Sequence, residues 1–411
     1  KVEVAFTTAP WATTPTWTAV TNLTATERGL RGVRNFALTS GRSGASGGLW
    51  EPATLTVNFN DNDADWDQAN AGSTFGVANL KRNKKIRLRV SDDDFTGSGT
   101  LFVGYIDDIV PAGDNLAGVA TVVASDMSRL LQEYDVKDLV RPMEWAGDRV
   151  TAILDAVGVP AGERGTINNG SVIMPAATLA SDAWSLLQDC ARAEYGIVYV
   201  GPSGTISFLE RHQVYSTTQF SVRQHSFVSN TIDATASAIS HAPIARTLGA
   251  GNTVTRVTAS SAGGSTFEYD TTASNEPPIT PSSGPHSLSV AFDAMVEFTP
   301  HTWHKGWDYD GQRIGSLSVM VWPGANSNAL TAVEAGDYQP ITRVEVQTQP
   351  KGYTTDWNLE SVIERVTIAG DAEQVVADLE FSPYETQLQD DADTLWYTYG
   401  DTLTLNALGA V

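Results

Sequence analysis

Apolar and polar residues alternate along three stretches near the N-terminus, and this alternation predicts β-strands with one buried face. The stretches are ATLTVNF (53–59), KIRLRV (85–90) and GTLFVGYIDDIV (99–110). Segments rich in Gly and Ser, which favour turns, separate these strands. Residues 1–110 are therefore predicted to form a β-domain.

The apolar spacing changes to a helical period after this β-domain. In SDMSRLLQEY (125–134), apolar residues recur at i, i+3, i+4 and i+7, and Ser125 or Asp126 is suited to cap the helix. The same spacing recurs in GDRVTAILDAVGVP (147–160), where Gly158 is placed to end the helix. Two amphipathic helices are therefore predicted, one after the other.

A third helix is predicted over residues 180–196, beginning at Ser181 and burying Cys190 on its apolar face. It leads directly into IVYVGPSGTISFLE (197–210), which has the pattern of two strands joined by a Gly-Pro-Ser-Gly turn. Together with the two preceding helices, these elements predict an α/β unit over residues 111–215.

The remainder of the chain again favours strands. Residues 216–335 are polar and rich in Thr, Ser and aromatic residues, with short strand candidates at 252–260, 286–292 and 314–322. Residues 336–411 contain longer candidates at 341–349, 361–370 and 401–409. The predicted fold class is therefore mainly β with a smaller α/β unit.

The amino-acid composition argues against several classes of function. Among 411 residues, 48 acids outnumber 26 Lys and Arg residues, which gives a formal charge of −22. A surface this acidic repels nucleic acids and anionic lipids, so specific nucleic-acid binding is not expected. A single cysteine, Cys190, excludes a disulfide framework and a multi-cysteine zinc site, and its apolar surroundings predict a buried, inert thiol.

The sequence also shows no recognisable targeting signal. No stretch approaches the ~20 apolar residues that cross a bilayer, and KVEVAFTTAP at the start lacks the charged and apolar regions of a signal peptide. The expectation is a protein that folds in a reducing cytoplasm.

The segment NFNDNDADWD (58–67) places aspartates at alternate positions, as in a helix-loop-helix calcium site. Such a site needs Gly at position 6 and a bidentate Glu at position 12. Counted from Asp61, these positions hold Trp66 and Gly72. The segment is therefore predicted to be a polar loop between two strands, with Asp and Asn side chains capping turns.

Histidines and tryptophans in residues 286–322 offer a second set of candidates. His301 and His304, with Asp308 and Asp310 nearby, could bind zinc, but on a strand i and i+3 face opposite ways. A glycan platform could be formed by Trp303, Trp307 and Trp322. Core packing is the ordinary role of such tryptophans.

Six bases crowd into KRNKKIRLR (81–89), in contrast to the acidic remainder. They are Lys81, Arg82, Lys84, Lys85, Arg87 and Arg89. Because Ile86 and Leu88 alternate with them, a strand with an outward basic side is predicted. Such a stripe either solubilises a sheet edge or meets an acidic neighbouring subunit, for which the eight acids of residues 371–393 are candidates.

The order of these elements resembles that in minor tail proteins of siphophages infecting actinobacteria, specifically the tail hub. Three stretches carry the resemblance: 47–110, with LFVGYIDDIV; 122–175, with VVASDMSRLL and LDAVGVP; and 184–211, with the helix followed by GTISFLER. They cover roughly the first half of the chain. Residues 226–335 depart from the family pattern.

The resemblance implies a fold similar to that of baseplate hubs. Two tube-like β-barrel domains, from residues 1–110 and 336–411, would flank the α/β domain (111–215) and an inserted β-rich domain (216–335). It implies a homotrimeric, non-enzymatic structural protein without cofactors, located at the tail tip of the virion. The implied role is to continue or close the tail tube, provide the channel for DNA ejection and bind distal tail and tube proteins, the tape measure protein and other minor tail proteins.

Two alternatives remain open. One is a carbohydrate- or receptor-binding tail protein that uses the three tryptophans. The other is a polysaccharide-cleaving enzyme, for which paired carboxylates in an aromatic cleft would be needed.

Overall fold

The computed structural model describes most of the N-terminal half of the chain and parts of the C-terminal half. The described residues are 1–12, 14–20, 32–42, 49–90, 99–111, 118–210, 213, 217–229, 239–241, 246–248, 256–261, 264–270, 286–287, 312–321, 329, 331–333, 338–348, 357–371 and 374–383. The predicted strand at 401–409 lies outside them.

The alternating stretches of the N-terminal region form an antiparallel sheet, here called the N-terminal sheet. Its strands are β1 (Val2–Ala5), β2 (Thr18–Ala19), β3 (Val33–Arg42), β4 (Trp50–Asn60), β5 (Lys85–Val90), β6 (Gly99–Pro111) and β7 (Val119–Ser125). They are arranged in the order β3-β4-β7-β6-β5-β1-β2. The three strands predicted from alternation are confirmed as β4, β5 and β6.

The α/β unit follows, and all three predicted helices are present. Its helices are α1 (Met127–Glu133), α2 (Ala146–Ala156) and α3 (Ala183–Glu194). Its strands are β8 (Asp135–Arg141), β9 (Glu144–Trp145), β10 (Arg164–Ile167), β11 (Ile173–Met174), β12 (Ala177–Asp182), β13 (Ile197–Val200) and β14 (Ile206–Leu209). Single 3-10 turns occur at Val77–Asn79 and Ala161–Glu163.

Side-chain caps mark where α1 and α3 begin. Asp126 caps α1 by accepting a hydrogen bond from the Ser128 N–H, as the sequence suggested. The expected start of α3 at Ser181 is wrong, because Ser181 still pairs with β8 and Asp182 provides the cap. The helix ends where Tyr195 adopts a left-handed conformation, with φ of 54°.

The C-terminal half contributes a second group of strands, some paired antiparallel and some parallel, here called the C-terminal sheet. Its strands are β15 (His225–Ser229), β16 (Ile239–His241), β22 (Ser316–Val321), β23 (Arg343–Thr348), β24 (Trp357–Asp371) and β25 (Val375–Pro383). Smaller elements are α4 (Thr218–Ser221), β17 (Arg246–Leu248), β18 (Arg256–Ser260), β19 (Thr266–Asp270), β20 (His286–Ser287) and β21 (Gln312–Ile314).

Strand β24 joins the two sheets. Its first residues pair with β23, its later residues pair with β3, and β25 runs along its other edge. Among the described strands, 13 therefore belong to one hydrogen-bonded sheet. The closure of either half into a barrel, and the domain boundaries at residues 110, 215 and 335, stay predictions.

Two hydrophobic cores support this architecture. The first core lies inside the two sheets and includes Leu55, Val57 and Phe59, which are fully buried on the inward face of β4. The second core is formed by the helices of the α/β unit, the β13–β14 hairpin and two residues of β18. Among the described residues, no helix is long and apolar enough to span a membrane.

Candidate functional site

The aspartate-rich segment after β4 is folded into a chain of tight turns, here called the turn loop (residues 61–80). Backbone N–H groups donate to the carbonyl three residues earlier at every third position. The donors are Ala64, Asp67, Asn70, Ser73, Gly76 and Asn79, with N–O distances of 2.8–3.2 Å. The predicted polar loop is confirmed, and its backbone is far more regular than its composition suggested.

An aromatic cluster anchors the turn loop to the N-terminal sheet. Trp66 is 2 % exposed, and its ring centroid lies 4.8 Å from that of Phe59 and 4.9 Å from that of Phe75. Phe6 completes the cluster at 6.2 Å from Trp66. Trp66, one of the two residues that do not match a calcium loop, therefore packs the turn loop against the sheet.

The aspartates of the turn loop accept hydrogen bonds from its backbone. The carboxylate of Asp61 accepts from the Trp66 N–H at 3.3 Å, that of Asp65 from the Thr74 N–H at 2.8 Å and that of Asp67 from the Ala69 N–H at 2.8 Å. Burial raises the pKa of Asp61 above its ordinary value. These carboxylates stabilise turns, as Asp does elsewhere.

Metal binding finds no further support in the described residues. No group of three or more His, Cys, Asp or Glu side chains is arranged there to hold an ion. His301 and His304 lie outside these residues, as do Trp303, Trp307 and Trp322 of the possible glycan platform. Burial raises the pKa of the Cys190 thiol to about 12, which agrees with an inert cysteine.

The bases of residues 81–89 are here called the basic stripe, and most of them form ion pairs or hydrogen bonds within the chain. Lys85 is 4 % exposed, and its Nζ lies 2.5 Å from Glu163 Oε1 and 3.3 Å from the Ala12 carbonyl oxygen. Arg87 forms an ion pair with Glu3 and lies over the Trp17 ring at 4.4 Å. This strand therefore attaches the α/β unit and the N-terminal segment to the sheet.

The other bases of the stripe differ in their exposure. Arg89 approaches Glu3 at 3.9 Å. Burial raises the pKa of the Glu3 carboxyl, but hydrogen bonds from Arg87 and Lys1 outweigh this effect, so the pKa lies below its ordinary value. Arg82 pairs with Glu133 at 3.3 Å at the surface. Lys81 is exposed and Lys84 is half-buried.

The edge-strand interpretation of this stripe is wrong, because β5 is hydrogen-bonded to β1 on one side and to β6 on the other. A subunit interface at these bases stays a prediction, now centred on Lys81, Arg82 and Lys84. Its proposed acidic counterpart includes β25, where Asp378 and Glu380 are exposed. Residues 384–393 of that segment lie outside the described residues.

A surface of mostly small, uncharged side chains crosses paired strands of both sheets, and it is here called the outer face. Directly paired residues project on the same side of a sheet, so strand register defines its rows. The first row is Ser318, Asp378, Thr367, Thr39, Thr54 and Ser125; the second is Met320, Val376, Ala369, Ala37, Thr56 and Val123; the third is Asp371, Asn35, Asn58 and Thr121.

Small uncharged side chains dominate the outer face. Its three rows contain two acids and no base, although the chain has 74 charged residues (48 acids and 26 bases). Neighbouring side chains bond to one another: Asn58 Nδ2 donates to Asn35 Oδ1 at 2.6 Å, and Thr121 Oγ1 donates to Asn58 Oδ1 at 2.6 Å. The third row of the face is therefore internally hydrogen-bonded.

A buried ion pair lies where the outer face passes from one sheet to the other. Arg42, at the end of β3, contacts both carboxylate oxygens of Glu364, with Nη2 3.0 Å from Oε1. Ser382 Oγ donates to the same Oε1 at 2.5 Å. Both charged residues are nearly inaccessible, with 8 % of Arg42 and 3 % of Glu364 exposed.

Gly41 permits this close approach of β3 and β24. Its φ is 125°, and a Cβ there would lie 2.3 Å from the Glu364 carbonyl oxygen. Glu364 itself occupies an irregularity in the pairing of β24 with β25. Sequence reasoning missed Arg42 and Glu364 because they are 322 residues apart and neither belongs to a motif. The only signal in the sequence was a charged residue at a position where the alternation of apolar and polar residues predicts a buried side chain.

Two solved structures share this arrangement of sheets and α/β unit. A tail protein from Neisseria meningitidis MC58 aligns with a TM-score of 0.55 at 10 % identity, covering 85 % of this chain and 91 % of that one. The chain has a tail-protein fold. The 43 kDa tail protein of prophage MuSo2 from Shewanella oneidensis aligns with a TM-score of 0.52 at 10 % identity, covering 87 % and 94 %.

These two likenesses confirm the predicted fold class, mainly β with a smaller α/β unit. No family model matches the sequence, and no curated protein is significantly similar to it. The tail-protein resemblance seen in the first half of the sequence therefore extends, at the level of fold, over most of the chain.

Proposed function

We propose that the protein is a non-enzymatic structural component of a phage tail, which forms the hub at the tail tip. The observation that carries this proposal is the outer face, three rows of mostly small, uncharged side chains that run across paired strands of both sheets. The tail-protein fold supports it. The relationship to siphophages of actinobacteria is part of the proposal and rests on the sequence resemblance alone.

In this role the outer face lines the channel through which DNA leaves the virion. Strong DNA binding depends on Lys and Arg contacts to phosphates. The three rows of the face contain no base, and Arg365 in the adjoining row is paired with Glu51 at 3.6 Å. Its two acids, Asp371 and Asp378, repel the phosphate backbone. Small Thr, Ala and Asn side chains leave few protrusions on which a polymer would catch.

A channel requires several copies, and we propose a homotrimeric ring. The two sheets of each chain, joined at β24 and β3, would together contribute two adjacent segments of the ring wall. Lys81, Arg82 and Lys84 would contact an acidic surface of the neighbouring copy. Distal tail proteins, tube proteins, the tape measure protein and other minor tail proteins are the proposed partners at the two ends of the ring.

Assembly is the first test. Light scattering of the purified protein should report a trimer at high concentration, and labelled protein should be found at the end of the tail tube in electron micrographs. A protein that stays monomeric and is absent from the tube end would contradict the hub role.

The channel role is tested separately, with the double substitution Thr56→Lys and Asn58→Lys on the outer face. We expect particles that assemble normally but release DNA more slowly, most clearly at low salt, because the added charges bind phosphates. The matched control is Thr178→Lys with Ser181→Lys on the exposed side of β12, which should release DNA as the unmodified particle does. Equal release by all three at every salt concentration would refute a channel lined by the outer face.

The alternative of glycan or receptor binding has its own readout. Binding to a glycan array that is lost on Trp303→Ala would favour that alternative over the hub, since the hub role assigns no ligand to this tryptophan.

A further inference from the structure

Ile341, the residue two positions before β23, has a left-handed backbone conformation with φ of 67°. A β-branched residue rarely adopts this conformation, because its side chain crowds the backbone. The Ile341 side chain is only 2 % exposed. Such a conformation persists only where the surrounding structure enforces it.

Hydrogen bonds to β24 enforce the conformation from one side. The Ile341 N–H donates to the Ile363 carbonyl oxygen at 2.7 Å, and the Ile363 N–H donates to the Thr342 carbonyl oxygen at 2.9 Å. The next residue along β24 is Glu364, the partner of Arg42 at the junction of the two sheets. The strained residue is therefore bonded directly beside that junction.

Packing enforces the conformation from the other side. Ile341 belongs to the second core, which contains the α/β unit, whereas Tyr338 and Val344 on either side belong to the first core. The segment 338–342 thus crosses from one core to the other and back.

Free space lies next to this crossing. A cavity of about 40 Å³ is lined by residues 338–340, by Val366 and Ile368 of β24, and by the turn of the β13–β14 hairpin at residues 199–202. Close-packed interiors have little room for rearrangement, and this cavity leaves unfilled space beside the segment.

We propose that residues 338–342 form a strained joint that couples the position of the α/β unit to the junction of the two sheets. When the β13–β14 hairpin separates from the sheets, Ile341 leaves the second core and relaxes to an extended conformation. The hydrogen bonds that Ile341 and Thr342 form with Ile363 then break, which loosens β24 next to Glu364. A partner that binds the α/β unit more tightly in one of the two states would shift this equilibrium.

A matched pair of substitutions, Ile341→Gly and Ile341→Ala, tests the strain. Both remove the aliphatic side chain, but only glycine tolerates the left-handed conformation without cost. Hydrogen exchange at the Ile363 amide should therefore report an opening equilibrium about tenfold smaller in the glycine variant than in the alanine variant. At Val344, in the regular strand β23, the corresponding pair should show the opposite order, because glycine weakens a strand.

The coupling is tested in the same experiment. Exchange at the β13 amides, residues 197–200, should change in parallel with exchange at Ile363. The proposal would be contradicted if Ile341→Gly opened more readily than Ile341→Ala, or if hydrogen exchange changed only within residues 338–342.

Cavity filling provides a test that keeps the Ile341 side chain. Val200 lines the cavity, and Val200→Ile should slow exchange at both the hairpin and Ile363 by occupying the space that the second arrangement needs. Unchanged exchange at Ile363 in a folded Val200→Ile protein would also count against the proposal.

Discussion

At the residue scale, Asp126 illustrates how one carboxylate connects a helix to a sheet. It is fully buried, accepts from the Ala53 N–H at 2.9 Å and the Ser128 N–H at 2.9 Å, and lies between β7 and α1. Burial raises its pKa from 3.8 to about 6. The folded protein therefore binds a proton at this position more tightly than the unfolded chain does.

A pH dependence follows from this shift. The stability contributed by the raised pKa is complete below about pH 4 and is lost as the pH rises through about 6. Asp126→Asn should remove this component, so the difference in unfolding free energy between unmodified protein and variant should decrease with rising pH across that window. Urea denaturation at several pH values measures it. A slope that survives Asp126→Asn would place its origin elsewhere.

Arg42 and Glu364 are the second case at this scale. Removing one partner of a buried ion pair leaves the other charge without compensation, which costs about 3–5 kcal/mol. Glu364→Gln should therefore lower the unfolding free energy by several kcal/mol in urea titrations. The surface pair Arg256–Asp270, with an N–O distance of 2.5 Å, is the control, and Asp270→Asn should lower the unfolding free energy far less. Equal losses at both positions would mean that Glu364 is solvated.

At the element scale, the turn loop depends on a single large side chain. Loss of Trp66 removes the centre of the cluster with Phe6, Phe59 and Phe75, whereas the turn hydrogen bonds remain. Trp66→Ala should cost about 3–5 kcal/mol, and the loop should become accessible to protease within residues 61–80. Val77→Ala, at a side chain that is 39 % exposed, should leave digestion unchanged. Protection of the loop in Trp66→Ala would show that its turns are stable without the cluster.

Most elements follow from local features of the sequence. The strands β4 to β6 show the period of two, and the helices α1 to α3 show a period of 3.6. Caps at Asp126, Asp182 and Tyr195 add to this signal in α1 and α3. The error at Ser181 arose because Ser and Asp are both good caps. The choice between them is made by β12, whose pairing with β8 extends to Asp182.

At the scale of the whole molecule, the joining of the two sheets depends on Gly41. A side chain there would meet the Glu364 carbonyl oxygen, and its φ of 125° is rarely adopted by other residues. Gly41→Ala should therefore lower the melting temperature more than Gly264→Ala, where φ is 92° but a Cβ would meet no atom within 4 Å. Similar losses for both variants would show that backbone conformation alone, and not the close approach of β3 and β24, is responsible.

The outer face also exists only at this scale. Asn35, Asn58 and Thr121 are separated along the chain, and their positions in three strands contain no motif. Each strand separately shows only that its polar side is outward. The rows appear once register aligns strands from the two ends of the chain.

The amino-acid sequence alone determined strands β4 to β6, the three helices of the α/β unit, the burial of Cys190, the turn-forming role of the aspartates in NFNDNDADWD and the resemblance to tail proteins. These depend on residues within one or two turns of each other, where periodicity, capping and turn chemistry act directly. Tertiary structure decided that β5 is an internal strand, that Lys85 and Arg87 are satisfied within the chain, and that β3 pairs with β24 across more than 300 residues. Pairing at that distance is chosen by the complementarity of whole sheet faces and edges, which no local pattern contains.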